Sequence, residues 1–194
     1  MVFSASRTMK YWLVITVVGS DRPGIVAAVS KVLYKSGCNI EELSSTILKR
    51  QFAMILIATS SRKDSAVHIK NACLEEEPLK GMEIHVRKVS PHRLKHYKQP
   101  PSQPFIITVI GKDRPGLVYG VTELLAAHEI NITNFDATVA MMKGKLSYVQ
   151  IYEVEIPKRV DIAALKKELY QRGKKLAVDI ALQHRNIFRA INEI

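Results

Sequence analysis

Cysteine is scarce in this chain of 194 residues, which holds only Cys38 and Cys73. They lie 35 residues apart with no Cys-x-x-Cys arrangement, so neither a disulfide framework nor a structural zinc site is expected. A reducing compartment fits that usage best. Long apolar runs are missing as well. The stretch Tyr11 to Val18, behind Lys10, is too short to span a bilayer, and it has no small-residue cleavage site before Ser20-Asp21-Arg22-Pro23. It reads as a strand, and the protein as cytoplasmic with no membrane partner. No Gly-x-Ser-x-Gly elbow, phosphate-binding Gly-Lys-Ser/Thr loop or dinucleotide fingerprint is present. With no visible set of nucleophile, base and oxyanion donors, the chain is read as a non-enzyme without cofactor or metal.

Acidic residues are outnumbered: 18 Asp and Glu stand against 29 Lys and Arg, a formal charge of +11. That balance favours acidic partners without naming one. Five basic residues and two histidines fall within residues 87–98, where there is no acid. A solvated linker is the plain reading of that run, and a nucleic-acid surface is the alternative. No helix-turn-helix, zinc finger or aromatic RNA-binding signature accompanies it. Apolar residues at 47% and charged residues at 24% place the chain among ordinary globular proteins and exclude disorder.

The most informative feature is a repeat. Residues 16–47 align without a gap on residues 108–139, and thirteen of those 32 positions are identical. They include Gly19/Gly111, the tetrapeptide Asp-Arg-Pro-Gly at 21–24 and 113–116, and Asn39-Ile40/Asn131-Ile132. A unit of this length repeated once means two homologous domains, not a solenoid. The expected limits are 9–89 for the first domain, 90–104 for a Pro-rich basic linker, and 105–194 for the second with a short closing helix.

Within each unit the hydrophobic period changes in the same order. Tyr11–Val18 is apolar on both faces, as a central strand is. Ile25, Ala28, Val29, Val32 and Leu33 then recur at helical spacing, as do Leu117, Val121, Leu124 and Leu125. Gly37 is a helix stop. Ile40–Leu48 and Phe52–Thr59 read as a hairpin, with Ile132–Met141 and Leu146–Ile156 as counterparts. Ala66, Ile69 and Cys73, like Ile162, Leu165 and Leu169, mark a second helix. Alternation through Ile84 and Val86, and through Val178, Ile180 and Leu182, marks a last strand. The fold class is therefore α+β: two tandem ferredoxin-like βαββαβ domains, each a four-stranded antiparallel sheet with two helices on one face. His184–Ile194 reads as a short amphipathic helix.

The Asp-Arg-Pro-Gly turns have two readings. Asp21 and Asp113 are placed to cap the following helix, with proline in its first turn, which makes a well-formed helix start. Alternatively the amides at Gly24-Ile25 and Gly116-Leu117 hold a small anion such as an amino-acid carboxylate. The readings compete, because a capping carboxylate repels an anionic ligand.

Strand, Gly-x-Asp-Arg-Pro-Gly, amphipathic helix and Asn-Ile opening a strand together resemble the ACT domain, a small regulatory amino-acid-binding module. The resemblance covers both units, and a tandem pair of this kind is similar to the glycine cleavage system transcriptional repressor family. It implies binding of glycine or a similar small amino acid, and contact with a separate DNA-binding regulator or enzyme. It also implies a homodimer or larger assembly, since the ligand of such modules lies between two of them. The residues it points to are Asp21, Arg22, Pro23, Gly24, Ile25, Asn39 and Ile40 in the first unit. In the second they are Asp113, Arg114, Pro115, Gly116, Leu117, Asn131 and Ile132. Lys112 stands where the first unit has Ser20, so the second turn is expected to be the better anion binder.

Overall fold

A computed structural model of the protein describes residues 10–91, 100–142 and 144–192. The chain divides into two compact units between Tyr97 and Lys98. In the first unit, β1 (Tyr11–Ser20) leads into α1 (Ile25–Lys35). The hairpin of β2 (Asn39–Leu48) and β3 (Gln51–Ser60) follows, then α2 (Ser65–Glu75), a single 3-10 turn at Glu77–Leu79, and β4 (Glu83–Val89). The second unit repeats the plan with β5 (Ser102–Gly111), α3 (Leu117–Ala127), β6 (Asn131–Met142), β7 (Lys145–Pro157), α4 (Ile162–Leu176) and β8 (Val178–His184). A last helix, α5 (Arg185–Asn192), closes the described chain. Strand order is β2-β3-β1-β4 in one sheet and β6-β7-β5-β8 in the other, with every pairing antiparallel. The first and third strands are central and the second strand is an open edge.

The alternation along β1 decides which face is covered. Leu13, Ile15 and Val17 join Phe52, Met54, Leu56 and Ala58 of β3 in a core closed by Ile25, Ala28, Val29, Val32 and Leu33 of α1 and by Ile69 and Cys73 of α2. Both helices thus cover the same face, as the periods require. Phe105, Ile107 and Val109 of β5 play the same part against Val121, Leu124 and Leu125 of α3 and Leu165 and Leu169 of α4. Each Val, Leu, Ile, Phe or Met among them contributes about 1.5–3 kcal/mol by leaving water.

Two expectations shift in detail. β5 begins at Ser102, so the last three residues assigned to the linker are strand. Pro104 is tolerated there because the β5–β8 ladder starts only at Phe105↔His184, which leaves the proline a neighbour on one side alone. Of the basic run, residues 92–99 lie outside the described residues, as does Ile194 of the expected closing helix.

Candidate ligand-binding site

The backbone of the two Asp-Arg-Pro-Gly turns is nearly identical. Gly24 has φ 95° and ψ −7°, and Gly116 has φ 89° and ψ −5°. This left-handed conformation favours glycine over any residue with a Cβ. Each glycine is the N-cap: its carbonyl accepts the first helical bond, from the Ala28 and Gly120 amides, both at 2.8 Å. No side chain caps either helix. The expected capping by Asp21 and Asp113 therefore does not occur, because both carboxylates stand three residues before the N-cap, across a proline, and are exposed. Pro23 and Pro115 also lie one residue outside the helix, not in its first turn. α4 shows the contrast, since Asp161 Oδ1 accepts from the Ala163 and Ala164 amides at 2.8 and 3.3 Å. With neither carboxylate capping them, the first-turn amides of α1 and α3 keep their affinity for an anion. Ile25 and Leu117, each 2% exposed, send their side chains into the core and offer only their amides.

Around this shared backbone the two units differ. In the first, Arg22 is half-buried and its Nη2 donates to the Lys80 carbonyl oxygen at 2.5 Å, while its Nε is buried without a partner. A Cβ on Gly24 would lie 3.4 Å from Pro78, so the segment after α2 is packed against the turn. In the second unit Lys112, Asp113, Arg114 and Pro115 are all exposed, and a Cβ on Gly116 would meet nothing within 4 Å.

Asn39-Ile40 and Asn131-Ile132 open the edge strands, each just before a β-bulge, between Ile40 and Glu42 and between Ile132 and Asn134. Ile40 and Ile132 pack on the margins of the cores, while Asn39 and Asn131 are exposed. Asn39 pairs with Thr59, level with the start of β1, whereas the turn follows the end of β1. The length of α1, about 16 Å for eleven residues, separates the two groups. A single unit therefore does not bring its turn and its Asn-Ile pair together. Asn39 Nδ2 donates at 3.2 Å to Glu41 Oε1, which also accepts from Thr59 at 2.8 Å. Asn131 and Ile132 instead line a groove of about 540 Å³ that runs along α3 to Tyr119 in its first turn. There Tyr119 donates to Glu123 Oε1 and Arg172 to Glu123 Oε2, both at 2.8 Å. Arg172, and then Tyr119, hold the Glu123 carboxyl below its usual range, and the same contact raises the Tyr119 hydroxyl.

One group escaped sequence reasoning. Gln150 on β7 is wholly buried, pairs with Val109 and Ala137, and faces the helices with them. Its Oε1 accepts from the buried Tyr152 hydroxyl at 2.5 Å, and its Nε2 is buried without a hydrogen-bond partner. Phe135 stacks on Tyr152 with centroids 4.5 Å apart, and burial pushes the Tyr152 hydroxyl well up. The equivalent pairings in the first unit are Met54 with Val17 and Ser45, and Leu56 with Ile15 and Leu43. An apolar pair there has become a polar pair here.

Among the described residues no three of His, Cys, Asp or Glu are grouped so as to hold a metal ion, and no helix is long and apolar enough to cross a membrane. The sequence model of the ACT domain matches residues 12–87 and 103–183. A UPF0237 protein of Methanopyrus kandleri is 34% identical over 90 residues, which is 46% of this chain and 96% of that one. The glycine cleavage system transcriptional repressor of Escherichia coli is 32% identical over 123 residues, covering 63% of this chain and 62% of the repressor. Among solved structures, an unknown protein from Galdieria sulphuraria superposes with a TM-score of 0.72 at 27% identity, over 91% of this chain and 99% of its own. A putative glycine cleavage system transcriptional repressor superposes with a TM-score of 0.67 at 19% identity, over 90% of this chain and 97% of its own, a likeness of fold. With both halves matched, the chain belongs to the ACT-domain family of regulatory modules, carries two of them, and is related in sequence to the glycine cleavage system transcriptional repressor.

Proposed function

We infer that this protein senses a small amino acid, glycine or one of similar size, and that the bound ligand alters its contact with a separate regulator or enzyme. It acts by binding and not by catalysis, in the cytoplasm. The observation that carries this reading is the division of the candidate residues between opposite ends of each module, joined along an open edge strand. Antiparallel pairing of β2 with the β2 of a second copy sets Asn39 of one copy beside the Leu48 end of the other. That end adjoins the turn, because the Asp21 amide donates to the Arg50 carbonyl oxygen at 2.8 Å. In the second module the turn follows Gly111, which pairs with Tyr148 opposite Val139, so pairing of β6 edges with Asn131 of one copy beside Val139 of the other brings Asn131 to the Asp113 turn. An amino acid seated there has its carboxylate on helix amides and its ammonium near Asp21 or Asp113. Because it bridges two modules, it favours one assembly over another, and only such a difference in affinity can be passed to a partner.

A thermal-shift screen of the dialysed full chain against each of the twenty amino acids tests this. Ligand at a hundred times its dissociation constant adds about 2.7 kcal/mol, a rise of several degrees. A rise for one or a few small amino acids, lost in Asp113→Ala, is the expected result. No shift with any of them, together with DNA binding that collapses steeply with salt, would replace this reading by that of a basic nucleic-acid-associated protein.

A further inference from the structure

We propose that the exposed face of α4 is the surface by which this protein holds its partner, and that the partner offers it a narrow acidic segment, one helix or strand wide, with an apolar side chain among its carboxylates. From the reading above this takes only that the protein works through a partner, and it adds the surface and the chemistry that surface selects.

The first observation is charge that the fold does not require. α4 carries five basic residues against one acid, Glu168, whereas α2, its counterpart in the first module, has one of each, Lys70 and Glu75. Leu165, Leu169 and Gly173 of α4 are buried, so its opposite pole carries Lys167, Gln171 and Lys174, with Lys166 and Tyr170 on one side and Lys175 on the other, all exposed. Glu168 is bonded to His128 and Arg172 to Glu123, both on the α3 side, which leaves that pole without an acid. Among the described residues none of the four lysines, 166, 167, 174 and 175, is ion-paired. The helix dipole accounts for Lys174 and Lys175 in the last turn, but it gives no reward to Lys166 and Lys167 in the N-terminal half. A surface helix that serves solubility alone mixes the two signs along its face. In α2, aligned through Ile69/Leu165 and Cys73/Leu169, Asn71 and Leu74 stand where α4 has Lys167 and Tyr170.

The second observation is shape. Tyr170 is 57% exposed in the middle of this lysine face, with Lys174 Nζ held 4.5 Å from its ring centroid. An exposed tyrosine ringed by charge is the anchor-and-rim arrangement of protein interfaces. α4, about 22 Å long, stands as a ridge between two clefts. One, of about 570 Å³, lies against the start of β8 beside Gly173 and has Tyr170 and Lys174 on its helix side. The other, of about 290 Å³, lies against Leu124 of α3 and is lined by Lys167 and Lys175. Each cleft also meets an acid, Asp179 in the first and Glu168 in the second, so the positive strip is bounded on both sides. A nucleic acid, with phosphates along its whole breadth, would lie on those acids. A single acidic helix or strand fits between them, with its carboxylates on the lysines and its apolar residue on Tyr170.

The test is fluorescence anisotropy of the full chain with a labelled peptide of repeating Glu-Glu-Leu-Ala, and with a random-sequence DNA duplex as the second probe. The peptide should bind in moderate salt. Lys166→Glu/Lys167→Glu, which spares the last-turn lysines, should weaken it about tenfold or more, and Tyr170→Ala about fivefold. Lys166→Gln/Lys167→Gln should fall between the wild type and the charge reversal, and each variant, being on exposed surface, should melt close to the wild type. Lys35→Glu/Lys70→Glu makes the same change of net charge at exposed positions of the first module and should leave affinity within about twofold. Equal losses in the two reversals would overturn the proposal, because net charge alone would then attract the peptide. So would a duplex held more tightly than the peptide and lost in the α4 reversal, or a wild type that does not bind the peptide. The amino-acid screen above stays separate. Peptide binding through α4 with no amino-acid shift would sink the sensing reading alone, and an amino-acid shift without peptide binding would sink this proposal alone.

Discussion

Glu129 occupies in the second module the left-handed position that Gly37 holds in the first, with φ 54° against 66°. Both close a helix by the same two bonds. Cys38 donates to the Leu33 carbonyl at 2.9 Å and Gly37 to Tyr34 at 3.0 Å; Ile130 donates to Leu125 at 2.9 Å and Glu129 to Ala126 at 3.0 Å. A side chain in this conformation costs about 1–2 kcal/mol, partly offset by the larger entropy glycine loses on folding. Glu129→Gly should therefore stabilise the second module by about 0.5–1 kcal/mol, read as a higher urea midpoint. The mutation also deletes the exposed pair of Glu129 with Arg159, which is worth little in water. A lower midpoint would show that this pair outweighs the backbone strain.

The three aspartates at helix starts should separate cleanly. Asp161→Ala removes an acceptor from two amides and should cost about 1 kcal/mol. Asp21→Ala and Asp113→Ala, exposed and uninvolved in capping, should each stay within about 0.5 kcal/mol. If Asp113→Ala destabilised the unliganded chain as much as Asp161→Ala, the turn would be a cap in solution, and its amides would be closed to an anion.

Cys73 gives a pH dependence with a defined sign. The thiol is wholly buried, and burial, reinforced by nearby Glu76, pushes it from 9.0 up to about 11. Between these values the unfolded chain loses a proton that the folded chain keeps. The contribution of this thiol is thus whole below pH 9 and falls away as pH rises through 11. The stability difference between wild type and Cys73→Val, measured in urea, should shift in favour of the variant across that window. At pH 8 a maleimide should label half-buried Cys38 well before Cys73, which reacts only on unfolding. Equal labelling rates would contradict the burial.

The order of elements was legible because each carries its own period, and the duplication let each half check the other. Ile25, Ala28, Val29, Val32 and Leu33, chosen for their spacing, are all buried. The turns were harder. Asp before Pro-Gly reads as a cap by composition, but a left-handed glycine takes the N-cap position and moves the helix start past the aspartate's reach. Gln150 was hidden for another reason. The offset of 92 that aligns the helices fails in the hairpin, where β6 and β7 have 12 and 13 residues against 10 and 10 in the first module. Met54 then falls opposite Leu146 by offset, and only the strand register shows that Gln150 is its equivalent. The bond from Arg22 to the Lys80 carbonyl oxygen was out of reach in the same way, since it joins segments more than fifty residues apart.

The same hairpin of the first module supplies a test of backbone strain. Lys49 and Arg50 are its two central residues, at φ 46° and 67°, between Leu48 and Gln51, which pair across the strands. Two positive φ values are the type I′ arrangement, which suits the right-handed twist of a hairpin and favours Asn-Gly over long basic side chains. Lys49→Asn/Arg50→Gly should stabilise the module by about 1 kcal/mol and steepen the hairpin's protection from amide exchange. The Arg50 carbonyl that accepts from the Asp21 amide is backbone and survives the change, so the turn above it keeps its anchor. Amino-acid binding at the second module's turn should then be unaltered, because the change is confined to the first module. Were affinity to change together with hairpin stability, the first module's edge would have a part in binding, and the two modules would have to be treated as coupled.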